Sequence, residues 1–243
     1  MKHTLPANFI NQPLRLAVAG CGGNGSQMLS GLARMHIALT SLGHPGLAVT
    51  AFDPDTVSEA NIGRQLFARA DIGQHKATVL VNRLNAFYGL GWSASAARAV
   101  DPDDFTLLIS CVDSIKGRQR MALTKCHYWL DLGNSDQTGQ VILGQTPAMH
   151  KQANGYRHAP SGQDRLPSVL DVFPSLTEPD AKEDNTPSCS LAEALEKQDL
   201  FVNQWIATAA LQLLWSFIRQ GGLDIHGYFI NLQTNRVTPL PIK

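Results

Sequence analysis

The stretch LRLAVAGCGGNGS, residues 14–26, decides the fold, because in it a short apolar run leads directly into a glycine-rich loop. The glycines permit a tight turn from strand to helix whose backbone N–H groups face a phosphate, and a helix that begins near Ser26 adds its positive end. The loop glycines are Gly20, Gly22, Gly23 and Gly25. Loops of this composition also occur as ordinary turns, so the motif by itself does not separate the two interpretations.

A second apolar run, residues 47–52, leads into the acidic turn DPDTV, residues 53–57. An acidic side chain at the end of the second strand of a nucleotide-binding fold binds the ribose hydroxyls. Asp53 occupies that position, and Asp55 follows it as a further candidate for nucleotide contact. The alternative is a plain turn, because Asp and Pro both favour turns.

Basic residues beyond this turn favour a triphosphate over a dinucleotide. Arg64 and Lys76 both lie beside the glycine loop if the helix beginning at Lys76 packs on the sheet. Two cations match the charge of a triphosphate better than that of a dinucleotide pyrophosphate. For either residue alone, a solvated surface cation is the alternative.

Asp113, at the end of a buried strand, is a candidate magnesium ligand. It is also a candidate N-cap of the next helix, and the two roles are compatible.

Strand and helix patterns alternate along the chain. Strands are predicted at residues 14–19, 47–52, 93–97, 106–112, 128–132, 140–143, 226–232 and 236–240. Helices are predicted at residues 26–40, 76–87, 116–127 and 200–218, with a short one from Ser190. This alternation predicts an α/β, Rossmann-like, doubly wound and mostly parallel sheet with helices on both faces. Ligands in such folds bind beyond the carboxyl ends of the strands, where the glycine loop, Asp53 and Asp113 all fall.

The pattern stops between residues 146 and 188, which are rich in Pro, Gly, Ser, Asp and Asn. A segment of this length without regular structure is typically functional or disordered. We interpret it as a mobile crossover loop inside a single domain of residues 1–243, between a nucleotide-binding core at 14–145 and C-terminal helices and strands at 189–243.

Composition excludes several classes of function. The 243 residues carry 20 basic and 20 acidic side chains, so no global field favours nucleic acid or an anionic membrane. Four scattered cysteines and a start without a secretory signal favour the cytoplasm. The apolar segment 200–218 is long enough to span a bilayer, but we expect a helix buried in the core or shared with a second subunit.

The ordered series of motifs resembles the ThiF/MoeB/HesA superfamily of ubiquitin-activating-type adenylating enzymes. The motifs are G-x-G-G-x-G-S at residues 20–26, D-x-D-x-V-x-x-x-N-x-x-R-Q at 53–65, G-x-x-K at 73–76 and C-x-D at 111–113. The resemblance extends over residues 14–145 and, more loosely, over the C-terminal part.

This resemblance implies ATP- and Mg²⁺-dependent adenylation of the C-terminal glycine carboxylate of a small ubiquitin-like or sulfur-carrier protein by a homodimer. It assigns Asp53 to the ribose and Asp113 to Mg²⁺. The residues that it assigns to the phosphates are Asn61, Arg64, Gln65 and Lys76. Arg64, Lys76 and Asp113 are then the expected catalytic side chains, because catalysis consists mainly of positioning and of neutralising developing charge.

Cys189 is a candidate nucleophile, since some family members place a catalytic cysteine after the crossover loop. Ser190 and Glu193 form a capping box, so Cys189 precedes a helix N-terminus, where the helix dipole favours the thiolate. Such a thiol can accept the acyl group as a thioester. The alternative is an ordinary thiol near a helix cap. Cys111 and Cys126, in a predicted core strand and helix, are expected to serve packing.

The chain departs from many relatives in two ways. It lacks the two C-x-x-C pairs of a structural zinc site, so zinc is not expected. No arginine precedes the first strand, whereas some relatives complete the partner's ATP site with one. The missing zinc motif and the segment PSCSLAE resemble the ThiF-type protein of the plasmid-borne PRTRC cassette. A non-catalytic ATP-binding partner protein and an NAD-binding oxidoreductase are the alternative functions.

Overall fold

The computed structural model describes residues 2–97, 105–146, 165–177 and 191–242. The strands are β1 His3–Thr4, β2 Leu14–Ala19, β3 Leu47–Phe52, β4 Ser93–Ser95, β5 Leu107–Ser110, β6 Tyr128–Asn134, β7 Thr138–Gly144, β8 Gly222–Leu223, β9 Ile225–Asn231 and β10 Arg236–Pro241. Eight of them form one sheet in the order β10-β9-β7-β6-β5-β2-β3-β4, and β1 pairs with β8 separately.

The large sheet joins a parallel half to an antiparallel half. The neighbours from β6 through β5, β2 and β3 to β4 run parallel. The remaining pairs, β6 with β7, β7 with β9 and β9 with β10, are antiparallel. This order confirms the predicted Rossmann-like α/β fold with a mostly parallel sheet.

Helices cover both faces of the sheet. Alternate residues of each strand point to opposite sides, and the apolar residues on each side need a cover. The helices are α1 Asn8–Asn11, α2 Gly23–Ser41, α3 Lys76–Tyr88, α4 Ile115–Met121, α5 Val169–Val172, α6 Leu191–Lys197 and α7 Val202–Gln220. Leu16 and Val18 of β2 belong to the larger core, which α2, α3 and α7 complete. Ala17 and Ala19 belong to a smaller core on the opposite face, with residues of α4 and α5.

The apolar segment at 200–218 is a core helix. Its helix, α7, packs against α2 so closely that a Cβ on Gly31 would lie 2.0 Å from Leu211 Cδ1. Ile206, Ala210 and Leu214 on the same helix are buried in the larger core. Within the described ranges no helix is both long and apolar enough to cross a membrane.

The predicted helix at 116–127 is wrong in extent, since α4 ends at Met121. Beyond that residue the chain tightens: the Leu123 N–H donates to the Arg120 carbonyl at 3.1 Å, and the Thr124 N–H donates to the Met121 carbonyl at 3.0 Å. Cys126 therefore lies in the connection to β6 rather than in a helix, although it is buried as predicted. No Gly or Pro marks this turn, so the sequence shows no end to the helix.

Part of the predicted crossover loop has regular structure. Residues 165–177 contain α5 and the 3₁₀ turn Pro174–Thr177. Asp171 Oδ2 accepts hydrogen bonds from the Ser168 N–H and Oγ–H at 2.7 and 2.6 Å, which caps α5. Ser168 and Val169 are buried, so this segment packs on the domain. The other residues of the predicted loop lie outside the described residues.

Candidate functional site

The carboxyl ends of β2, β3 and β5 open into a cleft of about 1780 Å³. The strand ends are joined by backbone hydrogen bonds: the Gly20 N–H donates to the Phe52 carbonyl, and the Cys111 N–H donates to the Ala19 carbonyl, both at 2.8 Å. The predicted site residues that line the cleft are Gly20, Gly22, Gly23, Asp53, Asp55, Asn61, Arg64, Gln65, Lys76 and Asp113.

The glycine loop needs its glycines for different reasons. Gly20 has a φ of +90°, and a Cβ there would lie 2.7 Å from the Cys111 carbonyl oxygen. A Cβ on Gly25 would lie 1.8 Å from the Gly20 carbonyl oxygen. Gly25 therefore supports the loop from behind instead of facing the cleft, unlike the other three predicted glycines.

The first turn of α2 also packs against α7. A Cβ on Gly23 would lie 2.5 Å from Asn203 Cγ, so a larger residue here requires the Asn203 side chain to move. At Gly22 the nearest atom would be Gln65 Nε2 at 3.7 Å, which leaves the loop open toward the cleft. The first N–H groups of an α-helix have no partner within the helix and are suited to binding an anion.

Asp53 connects the two loops that follow β2 and β3. Its Oδ2 accepts the Cys21 N–H at 2.6 Å, and its Oδ1 accepts the Asp55 N–H at 2.8 Å. Burial raises the pKa of the Asp53 carboxyl above its ordinary value, although these two N–H donors and Lys76 oppose the rise. Each carboxylate oxygen keeps a further acceptor position, which suits a ribose hydroxyl.

Lys76 is the first residue of α3 and is buried, with 11% of its side chain exposed. Its Nζ lies 3.4 Å from Asp55 Oδ2, and its N–H donates to the Asp55 carbonyl at 3.0 Å. Asp55 holds the ammonium group at the edge of the cleft while its own side chain is 62% exposed. This geometry does not fit the alternative of a solvated surface lysine.

Arg64 and Asp113 both line the cleft and carry opposite charges that interact. Arg64 Nη1 donates to Gln198 Oε1 at 2.5 Å, and burial lowers the pKa of its guanidinium while the Asp113 charge opposes that shift. Asp113 is exposed at the end of β5. Ser114, and not Asp113, caps α4, because Ser114 Oγ accepts the Gly117 N–H at 3.0 Å. The alternative role of Asp113 as a helix cap is therefore wrong.

Asn61 and Gln65 belong to the connection between β3 and α3. Asn61 Oδ1 accepts the Ser58 N–H at 2.9 Å and the Ser58 Oγ–H at 3.2 Å, closing the 3₁₀ turn Glu59–Asn61. The Asn61 amide nitrogen remains the group that can face a ligand. Gln65 is buried beside Gly22, and its Oε1 has no hydrogen-bond partner.

Unpartnered polar atoms gather at this site. Among the described residues, the buried side-chain nitrogen and oxygen atoms without a hydrogen-bond partner are Asn24 Oδ1, Arg64 Nε, Gln65 Oε1 and Asn203 Nδ2. All four residues line the same cleft. An unpaired buried polar atom costs about 1–3 kcal/mol, so their clustering indicates a polar ligand or water that completes them.

A second buried network was missed from the sequence. Arg118 Nε donates to both carboxylate oxygens of Asp131 at 3.2 Å, and Arg118 Nη1 donates to the Asp113 carbonyl at 3.3 Å. Ser110 Oγ donates to Asp131 Oδ1 at 2.6 Å and accepts the Trp129 Nε1–H at 2.6 Å. Asp113 is thus connected through Arg118 to a fully buried carboxylate. The D-L-G pattern of β6 carries no sequence signal for this pairing.

The predicted magnesium ligand, Asp113, lies among the described residues, whereas the predicted nucleophile, Cys189, does not. No cluster of three or more His, Cys, Asp or Glu side chains suited to a metal occurs in the described ranges. Mg²⁺ nevertheless commonly binds through one or two carboxylates together with substrate phosphates, so Asp113 fits an ion that arrives with a nucleotide. Cys189 and Ser190 lie outside the described residues, and α6 begins immediately after them.

The sequence model of the ThiF family matches residues 11–240, nearly the whole chain. The chain belongs to the ThiF family. Membership in this family supports a general chemistry of adenylation, of the type carried out by ubiquitin-activating enzymes. A search of curated proteins finds no significant match.

Solved structures share the fold of this ThiF-family chain. Crystal structures of E. coli MccB with succinimide and with ATP match at 14% identity and cover 94% of this chain, with TM-scores of 0.59 and 0.56. A structure of PaaA matches at 15% identity and a TM-score of 0.58, covering 95% of this chain and 73% of PaaA. This chain covers 63% of each of these two MccB chains, which is less than two thirds of their length.

Proposed function

We propose that this protein uses ATP and Mg²⁺ to adenylate the C-terminal carboxylate of a small ubiquitin-like or sulfur-carrier protein that ends in glycine. The observation that carries the proposal is the cluster of unpartnered buried polar atoms beside a glycine loop, the buried Lys76 and the half-buried Arg64. Membership in the ThiF family supports it, and so does the crystal structure of E. coli MccB with MccA, which matches at a TM-score of 0.60 and 16% identity.

Each residue of the cleft has a role in this reaction. Asp53 binds the ribose, while Gly20, Gly22 and Gly23 bring backbone N–H groups to the phosphates. Arg64 and Lys76, with the side chains of Asn61 and Gln65, hold the β- and γ-phosphates. The substrate carboxylate attacks the α-phosphorus, the bond to the bridging oxygen breaks, and pyrophosphate leaves with that electron pair. Asp113 would hold Mg²⁺, which neutralises charge on the phosphates when bound.

The proposal extends to Cys189 and to the oligomeric state. Cys189 would accept the acyl group from the adenylate, forming a thioester and releasing AMP. The protein would act as a homodimer in the cytoplasm. A thioester that forms on the wild-type protein, survives mild denaturation and is lost with thiol reductants supports the transfer. A Cys189→Ser protein that still transfers its carrier normally excludes it.

Exchange of labelled pyrophosphate into ATP tests the central reaction. The carrier to use is a small protein with a Gly-Gly end encoded beside this gene. We expect exchange with wild type, its loss in Asp113→Ala, and normal exchange in the control Asp224→Ala, which changes an exposed carboxylate between β8 and β9.

Two outcomes would replace the proposal. ATP binding without exchange for any carrier would favour a non-catalytic ATP-binding partner protein. Tight NAD binding with no calorimetric response to ATP and Mg²⁺ would favour an oxidoreductase. Calorimetric titration with both nucleotides separates these cases from the proposed adenylating enzyme.

A further inference from the structure

The cleft continues beyond the nucleotide residues, across the antiparallel half of the sheet. Gly133 of β6 pairs with Gln140 of β7, Gln140 pairs with Phe229 of β9, and Phe229 pairs with Thr238 of β10. Residues in register across a sheet point to the same face, and all four line the cleft. We call this row the cross-strand track.

The track has the dimensions of a short peptide segment. Three strand spacings of about 4.8 Å give it a length of about 14 Å, which holds about four residues of extended chain. Where the track meets the nucleotide end, the side chains of Gln140 and Arg118 cover Gly133, which has no side chain of its own. A Cβ on Gly133 would lie 2.2 Å from Gln140 Nε2 and 2.8 Å from Arg118 Nη2. Arg118 therefore stands where the track joins the nucleotide end.

One wall of the track is built by α4 and the segment after α5. Gln119 Nε2 donates to the Leu176 carbonyl at 2.8 Å, which ties the two together. Phe173 lies edge-on to Phe229 with their ring centroids 5.9 Å apart, and both rings line the cleft. An extended chain on the track would therefore pass beside an apolar contact as well as polar ones.

Charge divides the cleft into two parts. The acidic side chains among its described lining residues, Asp53, Asp55 and Asp113, belong to the nucleotide end. Outside the nucleotide end, the charged residues that line the cleft are all basic: Lys116, Arg118, Arg120 and Arg236. Arg118 pairs with Asp131, whereas Lys116, Arg120 and Arg236 are exposed and form no ion pair with the described residues. A tail with basic side chains would meet like charge here, and a tail with acidic ones would be attracted.

We propose that the cross-strand track selects a polypeptide substrate whose last four or so residues before the reacting end include acidic side chains. This inference rests on the proposed function, since the tail must end at the nucleotide. It adds the charge of the tail, which decides which carriers this enzyme accepts.

Two synthetic peptides with free C-termini test the selection. They are Gly-Glu-Ser-Glu-Gly-Gly and Gly-Lys-Ser-Lys-Gly-Gly, each with an N-terminal fluorophore, and their binding is followed by fluorescence anisotropy at low salt. We expect the acidic peptide to bind wild type at least tenfold more tightly than the basic one. Arg120→Glu and Arg236→Glu should each weaken the acidic peptide several-fold and strengthen the basic one. Arg34→Glu, which reverses an exposed charge on α2, should change neither.

Equal affinity for the two peptides, or equal weakening by Arg34→Glu, would overturn the proposal. So would displacement of the acidic peptide by oligodeoxythymidylate at lower concentration than by unlabelled peptide, because the cations would then serve nucleic acid. The peptides bind without turnover, so the charge preference is decided whether or not exchange occurs. If the wild-type protein does not bind ATP, or does not exchange pyrophosphate into ATP, that result would instead count against the proposed adenylation.

Discussion

Individual glycines of the loop have roles that their spacing does not distinguish. Gly25 matches the motif as well as Gly20 does. It nevertheless lies behind the loop, where a Cβ would collide with the Gly20 carbonyl oxygen. The motif is therefore partly a packing constraint between strand end and helix, and only partly a ligand contact.

Gly25→Ala tests this packing role. A methyl group 1.8 Å from the Gly20 oxygen forces the loop to move, so we expect a loss of about 3 kcal/mol in the free energy of unfolding. Urea denaturation measures it. The matched control is Gly91→Ala, where no atom lies within 4 Å and the change should stay within about 0.5 kcal/mol. Equal small losses for both variants would contradict the packing role.

An alkylation experiment tests whether the Cys189 thiol is more reactive than the other cysteines. Burial raises the pKa of the Cys21 and Cys111 thiols, and raises the pKa of Cys126 to about 12, so all three stay protonated at pH 8. We expect iodoacetamide to modify one site rapidly in the native protein, and Cys189→Ser to remove that site. Mass spectrometry of the labelled protein locates the modification. Rapid native labelling at Cys111 would show that burial does not protect it.

At the scale of elements, α4 illustrates how a short helix positions a site. Its N-cap is Ser114, which leaves the preceding Asp113 carboxylate facing the cleft. Its Arg118 reaches back to the Asp113 carbonyl and is held by Asp131 of β6. The helix thereby ties the end of β5 to β6, and the cleft is built on that connection.

Arg118→Ala should destabilise the protein by about 3–5 kcal/mol, because it leaves a buried carboxylate without its partner. Burial raises the pKa of Asp131, and Arg118 is the leading influence that opposes this rise. In the variant the Asp131 pKa therefore rises further above its unfolded value. Folding then takes up a proton, so the variant loses stability as the pH increases toward that raised pKa.

Urea denaturation at pH 5 and pH 8 measures this effect. We expect the loss relative to wild type to be larger at pH 8. Arg120→Ala, an exposed neighbour on the same helix, is the control and should cost about 0.5 kcal/mol or less at either pH. If Arg118→Ala loses the same free energy of unfolding at both pH values, removal of Arg118 does not raise the pKa of Asp131.

Across the whole molecule, ligand binding should stabilise the fold, because the cleft joins residues from both halves of the chain. A nucleotide at 100 times its Kd adds about 2.7 kcal/mol to the free energy of unfolding. We expect ATP with Mg²⁺ to raise the Tm of wild type, and Asp53→Ala to lose that increase. Differential scanning fluorimetry measures both, with Asp224→Ala as the control that keeps it. An increase retained in Asp53→Ala would remove Asp53 from the nucleotide site.

The proposed homodimer makes a further prediction at this scale. Most of α7 is packed within its own chain, but Phe201 and Trp205 near its start are 57% and 47% exposed. If these rings lie in a dimer interface, Trp205→Arg should shift the protein to monomer in sedimentation velocity. Phe87→Arg changes an aromatic side chain that is 78% exposed elsewhere and should leave the dimer intact. A monomeric wild-type protein would exclude the homodimer.

Sequence by itself determined the order of strands and helices in the parallel half and the residues at their ends. The bounds of β2 and β3 agree with the predicted runs, because apolar strand segments ended by Gly or Asp-Pro are a local signal. The same local signal predicts Asp53 and Asp113 at strand ends on one edge of the sheet, and the family resemblance adds Lys76 to that site.

Only the tertiary structure decided which groups meet across the fold. The pairing of Arg118 with Asp131, the contact of Gly23 with Asn203 and the cross-strand track all bring together residues that are separated in sequence. Charge pairing and close packing depend on distances in space, and neither leaves a periodic pattern along the chain. The sequence therefore specified a nucleotide-binding loop and its polar companions, while the fold positioned them around one cleft.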